Sequence, residues 1–395
     1  LPFCFYLTRL SEIIAPTRET PLKKRIVFLI TGLAYGGAEN QLKSLAVKLK
    51  ARNWDVGVIS LLPPIAHVKE MEDSGICVSN LGMKRKRPDP RAILRLARIL
   101  REWQPQILHS HMVHANLLAR VTRMLVRVPV LVCTAHSINE GGRWREIAYR
   151  LTDNLCDITT NVSNVAVSRY IEVGAVPSNK IKFIPNGIDS LEYQRVSDDY
   201  RRQLRKKFEL DGFFAWLAVG RLEAVKDYVT MIRAFDIVRR KYKNTVLFIA
   251  GEGPIRSDIQ KFIYELELAD KVHLLGLRKD IKDLMNAADG FVSSSIYEGL
   301  SMVLLEASAC GLPIVATNVG GNKEIVLDGK SGYLVPVGEY ELLAETMLQL
   351  MLLPIEDRIC MGNIARNHVM KNYDIESVVD QWESLYNELL AKKIV

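Results

Sequence analysis

Ser293-Ser-Ser-Ile-Tyr-Glu298-Gly299-Leu300-Ser301-Met302-Val-Leu-Leu-Glu306-Ala-Ser-Ala-Cys-Gly311-Leu-Pro313-Ile-Val-Ala-Thr-Asn-Val-Gly320-Gly321 is the stretch around which the chain is organised. Gly290 to Ser293 reads as the end of a buried strand, the residues up to Gly299 as a turn with one carboxylate at its tip, and the apolar run that follows as a helix carrying a second carboxylate. On a helix of about 3.6 residues per turn, two acids eight positions apart lie on roughly the same side. Gly299 lets a ligand come close to the backbone, and the free amides of a first helical turn offer partial positive charge to an anion. One strand-turn-helix unit can therefore hold a phosphate and hydroxyl groups together, which predicts a phosphorylated sugar as the ligand.

The same unit recurs along the chain. Arg25-Ile-Val-Phe-Leu-Ile-Thr31 is strand-like, Gly32-Leu-Ala-Tyr-Gly36-Gly37 breaks it, and Ala38-Glu39 opens a helix. Strands expected at 55–60, 76–80, 106–110, 130–134 and 157–162 alternate with helices at 90–103, 113–126, 144–154 and 164–173. Ile181-Lys-Phe-Ile-Pro185-Asn186-Gly187-Ile-Asp189 closes this half with a short strand and a turn, and the polar residues 190–211 read as a linker. At Phe213 the pattern restarts, with strands at 213–219, 246–250, 271–274, 290–293, 313–316 and 332–335 between helical segments, the last at 375–391. Such alternation implies parallel sheets covered by helices on both faces. A chain of 395 residues also exceeds what one hydrophobic core usually serves, so two domains are expected. We assign residues 23–195 and 196–374 to them and 375–395 to a final helix. Residues 1–22 are placed outside the fold, since their apolar start is too short for a signal peptide core and lacks a basic lead.

Composition narrows the function. The chain is 48% hydrophobic and 25% charged, as an ordinary soluble enzyme is, and no apolar run approaches membrane-span length. Six cysteines without Cys-x-x-Cys spacing sit among apolar neighbours, which predicts small buried residues in a reducing cytosol, with neither zinc nor disulfides. The net charge of +8 is uneven: residues 23–195 hold 26 Lys and Arg against 14 Asp and Glu. The excess gathers at Lys84-Arg85-Lys86-Arg87, along Arg91, Arg95 and Arg98, and at Arg143, Arg145 and Arg150. It reads either as a solvated face or as a surface for an anionic membrane. Without a nucleic-acid module or interleaved aromatics, nucleic acid is the weaker partner.

Ligands of parallel sheets bind beyond the carboxyl ends of the strands. That rim collects Gly36-Gly37, His111 and His136 from the first half, while His109 and His273, inside strands, read as structural. From the second half it collects Arg221 and Lys226, two fixed positive charges able to hold a diphosphate beside the helix start at Gly299 to Met302 without a metal. No Asp-x-Asp turn argues for one.

Gly36-Gly37-Ala38-Glu39, Pro185-Asn186-Gly187-Ile188-Asp189, Gly220-Arg221 with Lys226-Asp227, Gly251-Glu252-Gly253-Pro254, Glu298-Gly299 with Glu306-Ala307, and Gly311-x-Pro313-Ile-Val-Ala together resemble the retaining glycosyltransferases of family 4 over residues 25 to 391. The resemblance implies the GT-B fold: two Rossmann-like parallel-sheet domains with the active site in the cleft between them, an acceptor-binding first domain, a nucleotide-sugar-binding second domain and a last helix crossing back to the first. It implies that Arg221 and Lys226 bind the donor diphosphate and that Glu298 contacts sugar hydroxyls. Gly299, Leu300, Ser301 and Met302 would hold sugar and phosphate by their amides, and Glu306 the ribose. Arg278 would lie near the base, Gly37 beside Gly36 would admit the diphosphate, and His111 would contact the sugar, with His136 and Asn186 as further binding residues. Leu300-Ser301 replace the phenylalanine or proline often found after the Glu-Gly turn. The partners implied are a nucleotide sugar, UDP-linked by preference, and a lipid-linked or surface-glycan acceptor at the inner membrane face, with no cofactor. Two alternatives share the fold: a transferase acting on a small soluble acceptor, and a non-catalytic sugar-nucleotide binder.

Overall fold

The computed structural model describes residues 23–394 apart from 86 and 140; residues 1–22, and with them Cys4, lie outside it. Seven strands form the first sheet: β1 (Arg25–Ile30), β2 (Asp55–Ser60), β3 (Cys77–Asn80), β4 (Ile107–His111), β5 (Val130–Ala135), β6 (Ile158–Asn161) and β7 (Ile181–Phe183). Six form the second: β8 (Phe214–Val219), β9 (Thr245–Ala250), β10 (Val272–Gly276), β11 (Gly290–Ser293), β12 (Ile314–Thr317) and β13 (Gly332–Val335). All pairings between these strands are parallel. Helices on both faces bury strands such as β1 and β5 on both sides, which is why they read as continuous apolar runs.

The strand orders are β3-β2-β1-β4-β5-β6-β7 and β10-β9-β8-β11-β12-β13. Each order reverses once, between β1 and β4 in the first sheet and between β8 and β11 in the second. At such a switch point the loops diverge to opposite faces and leave a crevice beyond the strand ends. The loops carrying Gly36-Gly37, Arg221 with Lys226, and Glu298 leave strands β1, β8 and β11 respectively, at these two places.

The last helix, Ile375–Ile394, does not pack on the sheet that precedes it. Ile375, Val378, Val379, Trp382, Leu385, Tyr386 and Leu389 are buried in one cluster with Phe28, Ile30, Val56 and Val132 of the first sheet. Each large apolar side chain so buried contributes about 1.5–3 kcal/mol. That outweighs the salt bridges from Arg52 to Glu376, Asp380 and Glu383 on the same helix, since half-exposed pairs give only about 0.2–1 kcal/mol. Where the chain returns, Ile188 N donates to Tyr373 O at 2.8 Å and Ile375 N to Ile188 O at 3.0 Å, tying the two crossings together.

Three local expectations need correction. The polar stretch 190–211 contains a helix, Asp198–Lys207, whose Ser197 Oγ accepts from Tyr200 N at 3.3 Å and whose acids open and bases close it. Arg201 and Arg205 pair with Asp289 at 2.7 and 2.8 Å, fixing this helix to the second sheet. Second, Glu298 is not on a helix: the helix is Met302–Ala309, with Ser301 as its N-cap position, so Glu298 precedes it and helical periodicity does not relate the two acids. Third, Cys77 and Cys360 are exposed, whereas Cys133, Cys156 and Cys310 are buried; all five are free thiols.

Candidate active site

The two switch points face each other across a cavity of about 1050 Å³. Its lining includes Gly36, Gly37, His136, Asn186, Arg221, Lys226, Arg278, Glu298, Gly299, Leu300, Ser301, Met302 and Glu306. The structure thus brings to one cavity every residue expected at the site from the sequence except His111.

On the second-sheet side, the loop after β11 is stitched to the loop after β8. Ile296 N donates to Val225 O at 2.8 Å, and Ser294 Oγ donates to the carbonyls of Lys226 and Asp227, each at 2.8 Å. This places Lys226 Nζ 2.5 Å from Glu298 Oε1, which also accepts from Ser295 Oγ at 2.8 Å. A positive and a negative group are therefore held side by side, the first able to meet a phosphate and the second sugar hydroxyls. Arg221 is more exposed, 3.4 Å from Glu223. Arg278 reaches the cavity while gripping Asp280 with two contacts of 2.8 and 2.6 Å, which raises the guanidinium's already high pKa. Close backbone approach makes glycine necessary here: a side chain on Gly251 would run into the carbonyl of Gly220.

Glu306 lies in the second turn of helix Met302–Ala309 and is buried. Burial, with a smaller contribution from nearby Glu192, pushes its carboxyl up to about 8. A carboxyl kept neutral by burial beside an open cavity ionises more readily once hydrogen-bond donors arrive to stabilise the carboxylate.

The first-sheet side presents mainly glycines and imidazoles, with Glu39 and Arg145 as its charged lining. Gly37 opens helix Gly37–Ala51, and a side chain there would press within 3.0 Å of Met302 Cγ from the other half. β4 extends through His111, which is 1% exposed and is not among the lining residues; its Nδ1 shares a 2.9 Å hydrogen bond with Nε2 of His136, which is. Of the two imidazoles singled out in the sequence, the one that lines the cavity is His136, which stands one residue beyond the end of β5. Burial drives both rings down, His136 to about 4, so both are neutral imidazoles. Beneath them His109 bonds Tyr386 Oη at 2.7 Å and Thr134 Oγ1 at 2.6 Å, linking the last helix to the cavity floor.

Sequence reasoning passed over four groups. Glu39 lines the cavity with its carboxyl raised by burial and opposed by Arg221 across the cleft. Ser295 supports Glu298, and Tyr193 accompanies Glu306. Glu324 reaches from the second half to cap helix Asn164–Glu172 of the first, its carboxylate accepting from Asn164 N, Asn164 Nδ2 and Val165 N, each at 3.1 Å. A signal existed for Glu39 and Ser295, which stand inside the quoted motifs; Glu324 is 160 residues from its partner and had none. Across the same seam, a side chain on Gly299 would collide with the carbonyl of His136, and one on Gly321 would approach Ser163 Cβ at 3.1 Å. The two halves touch through glycines. Among the described residues no cluster of three or more His, Cys, Asp or Glu is placed to hold a metal, and no helix is long and apolar enough to cross a membrane.

Known proteins resemble this arrangement. Residues 200–368 match the family described as Glycosyl transferases group 1, and residues 35–190 match Glycosyltransferase Family 4. The UDP-Gal:alpha-D-GlcNAc-diphosphoundecaprenol alpha-1,3-galactosyltransferase of Escherichia coli is 25% identical over 77% of this chain and 81% of its own length. The N-acetyl-alpha-D-glucosaminyl L-malate synthase of Bacillus anthracis is 29% identical over 59% of this chain, a match that spans only 60% of that protein. The crystal structure of Anabaena HepE in complex with UDP-glucose superposes with a TM-score of 0.81 at 22% identity, over 93% of this chain and 99% of that one, which establishes a shared fold.

Proposed function

This chain belongs to the family-4 glycosyltransferases, enzymes of the GT-B fold, and from that membership we propose that it moves a hexose or N-acetylhexosamine from a UDP-linked sugar to a lipid-linked saccharide or surface-polysaccharide acceptor, with retention of anomeric configuration. The observation that carries this reading is the convergence of Arg221, Lys226, Glu298, Glu306 and the start of helix Met302–Ala309 on one cavity. In it, Arg221, Lys226 and the amides of Gly299 to Met302 receive the diphosphate, Glu306 accepts from the ribose, and Arg278 lies toward the base. Glu298 and His136 hold the sugar from its two sides. The acceptor oxygen bonds to the anomeric carbon as the bond from that carbon to the phosphate oxygen breaks. The acceptor's proton passes to the departing phosphate, and the developing charge is met by Lys226 and Arg221, the type of stabilisation that contributes most in such reactions. Neither Glu298 nor Glu306 is assigned as nucleophile, and no metal is assigned to the site.

The E. coli relative, by its name, uses UDP-galactose and a diphosphoundecaprenol-linked acceptor, which supports the lipid-linked reading and a position at the inner membrane face. A second reading, transfer to a small soluble acceptor, is supported by the malate synthase. Incubation with UDP-sugars and either a polyprenyl-diphosphate-linked saccharide or hydroxy acids, followed by acceptor-dependent UDP release and the anomeric coupling constant of the product, decides between them. Release with no lipid-linked acceptor, or an inverted product, would sink the first reading.

A further inference from the structure

The loop after β5 delivers helix Arg143–Thr152, and that helix exposes what a soluble domain normally hides. Trp144 is 84% exposed and Leu151 is 77% exposed. They stand seven positions apart with half-buried Ile147 between them, so all three lie along one side. Arg143 and Arg150 are exposed beside this stripe, and Arg150 is fixed by donating to the carbonyls of Gly174 and Val173 at 2.6 and 2.8 Å. The opposite side is spoken for: Tyr149 is buried and Glu146 pairs with Arg169 at 2.5 Å. The loop before the helix is shaped by Asn139 Oδ1, which accepts from Gly141 N and Gly142 N, each at 2.9 Å. Trp144 is therefore presented by a tied turn.

A large exposed indole with an apolar side chain two turns on and arginines alongside is the chemistry of an interfacial helix on an anionic bilayer. The same carboxyl end of the first sheet exposes Lys84, Arg85 and Arg87 on the loop after β3, where the nearby acid, Asp89, is taken up by Arg95 at 2.6 Å. The helix also borders the active cleft, because Arg145 lines it.

We propose that helix Arg143–Thr152 is a membrane-docking face, with Trp144 and Leu151 entering the headgroup boundary of an anionic bilayer and Arg143 and Arg150 meeting its phosphates. Docked so, the cleft opens beside the lipid surface from which a lipid-linked acceptor is drawn; this deepens the lipid-linked reading of the site and rests on it. The occupant is a bilayer because arginines rather than paired charges border the stripe.

The molecule provides its own probe. Trp54, Trp216 and Trp382 are at most 4% exposed and Trp103 is half-buried, so a change in tryptophan emission on adding vesicles reports Trp144. Vesicles of phosphatidylcholine with phosphatidylglycerol should shift the emission to the blue and carry the protein down on sedimentation at physiological salt, whereas pure phosphatidylcholine should bind weakly. In the variant Trp144→Ser with Leu151→Ser, the vesicle partition coefficient should fall by about tenfold or more, as the loss of two apolar anchors implies. Its melting temperature and UDP-sugar affinity should stay those of the parent, because neither side chain is buried. Arg143→Glu should abolish the preference for phosphatidylglycerol. Equal vesicle binding by parent and double variant overturns the proposal. So does a concentration-dependent dimer that the double variant abolishes, since the occupant would then be a second copy. Turnover of a detergent-dispersed lipid-linked acceptor separates the two layers: turnover without vesicle binding overturns the docking face alone, and vesicle binding without such turnover overturns the acceptor reading alone.

Discussion

The second half of the molecule meets the cleft with charges laced to one another, Lys226 against Glu298 at 2.5 Å and Glu306 buried in a helix, while the first half meets it mainly with glycines and neutral imidazoles, its ionisable side chains Glu39, Arg145 and Glu192 standing apart from that network. In the proposed function the contrast follows from what each half would recognise. A diphosphate and a ribose always offer the same charges and hydroxyls, so a fixed electrostatic arrangement serves them. An acceptor varies, and backbone loops beyond β1, β4 and β5 leave shape to decide. The comparison breaks most sharply at Lys226. With Lys226→Ala or Glu298→Ala, kcat/KM should fall by about 10²- to 10³-fold, as when one preorganised charge-stabilising group is lost. Equivalent substitution of His136 by Gln, which keeps a hydrogen-bonding group of similar reach, should cost much less. Near-equal losses on both sides, measured as acceptor-dependent UDP release, would erase the contrast.

The seam between the halves offers the next test. Gly299→Ala puts a methyl group against the carbonyl of His136 and should hold the halves apart. A misplacement of about 1 Å costs on the order of 10²-fold in rate. In the proposed function donor affinity rests on the second half and should change little, so the loss should appear in kcat; a loss confined to the KM for the nucleotide sugar would contradict this reading.

Much of this was legible in the sequence, and the reasons are physical. Strands buried on both faces leave unbroken apolar runs, and the glycine loops that must approach a ligand or another backbone stand out between them. What escaped notice had no such mark. Helix Asp198–Lys207 buries only Leu204, so it has no apolar stripe and reads as a linker. His111 and His136 look equivalent, but β4 runs one residue further than its composition suggests and takes His111 inside. Glu298 and Glu306 share a cavity because the loop after β11 is laced to the loop after β8, not because of helical phase.

Glu306 sharpens the contrast through pH. Its folded-state pKa lies near 8, above the ordinary 4.5, so between these values the native state holds a proton that the unfolded chain has lost. That contribution to stability is present at low pH and declines as pH rises through this window. Donor binding runs the other way, since ribose hydroxyls donate best to the ionised carboxylate. Nucleotide-sugar affinity by calorimetry should rise with pH, by at most about tenfold per unit below 8, and level off above it. Glu306→Gln should flatten the profile. No comparable slope should come from His136, which is already neutral across that range.

The smallest expected effect belongs to Glu324, whose carboxylate caps a helix across the seam. Its carboxylate accepts from the backbone amides of Asn164 and Val165, which a helix start leaves open, and from Asn164 Nδ2, and the carbonyl of the same residue is held from behind by His368 Nε2 at 2.8 Å and Tyr373 Oη at 3.0 Å. Removing a capping group of this kind costs about 1 kcal/mol. Because the cap joins the halves, that cost falls on the closed arrangement, which amounts to roughly a fivefold loss in its population. Glu324→Ala should therefore lower kcat by about that factor and enlarge the radius of gyration in scattering, with donor affinity nearly unchanged. Glu324→Gln, which retains an acceptor oxygen, should recover most of the difference. If Glu324→Ala lowers only the melting temperature, the cap stabilises one half and does not hold the two together.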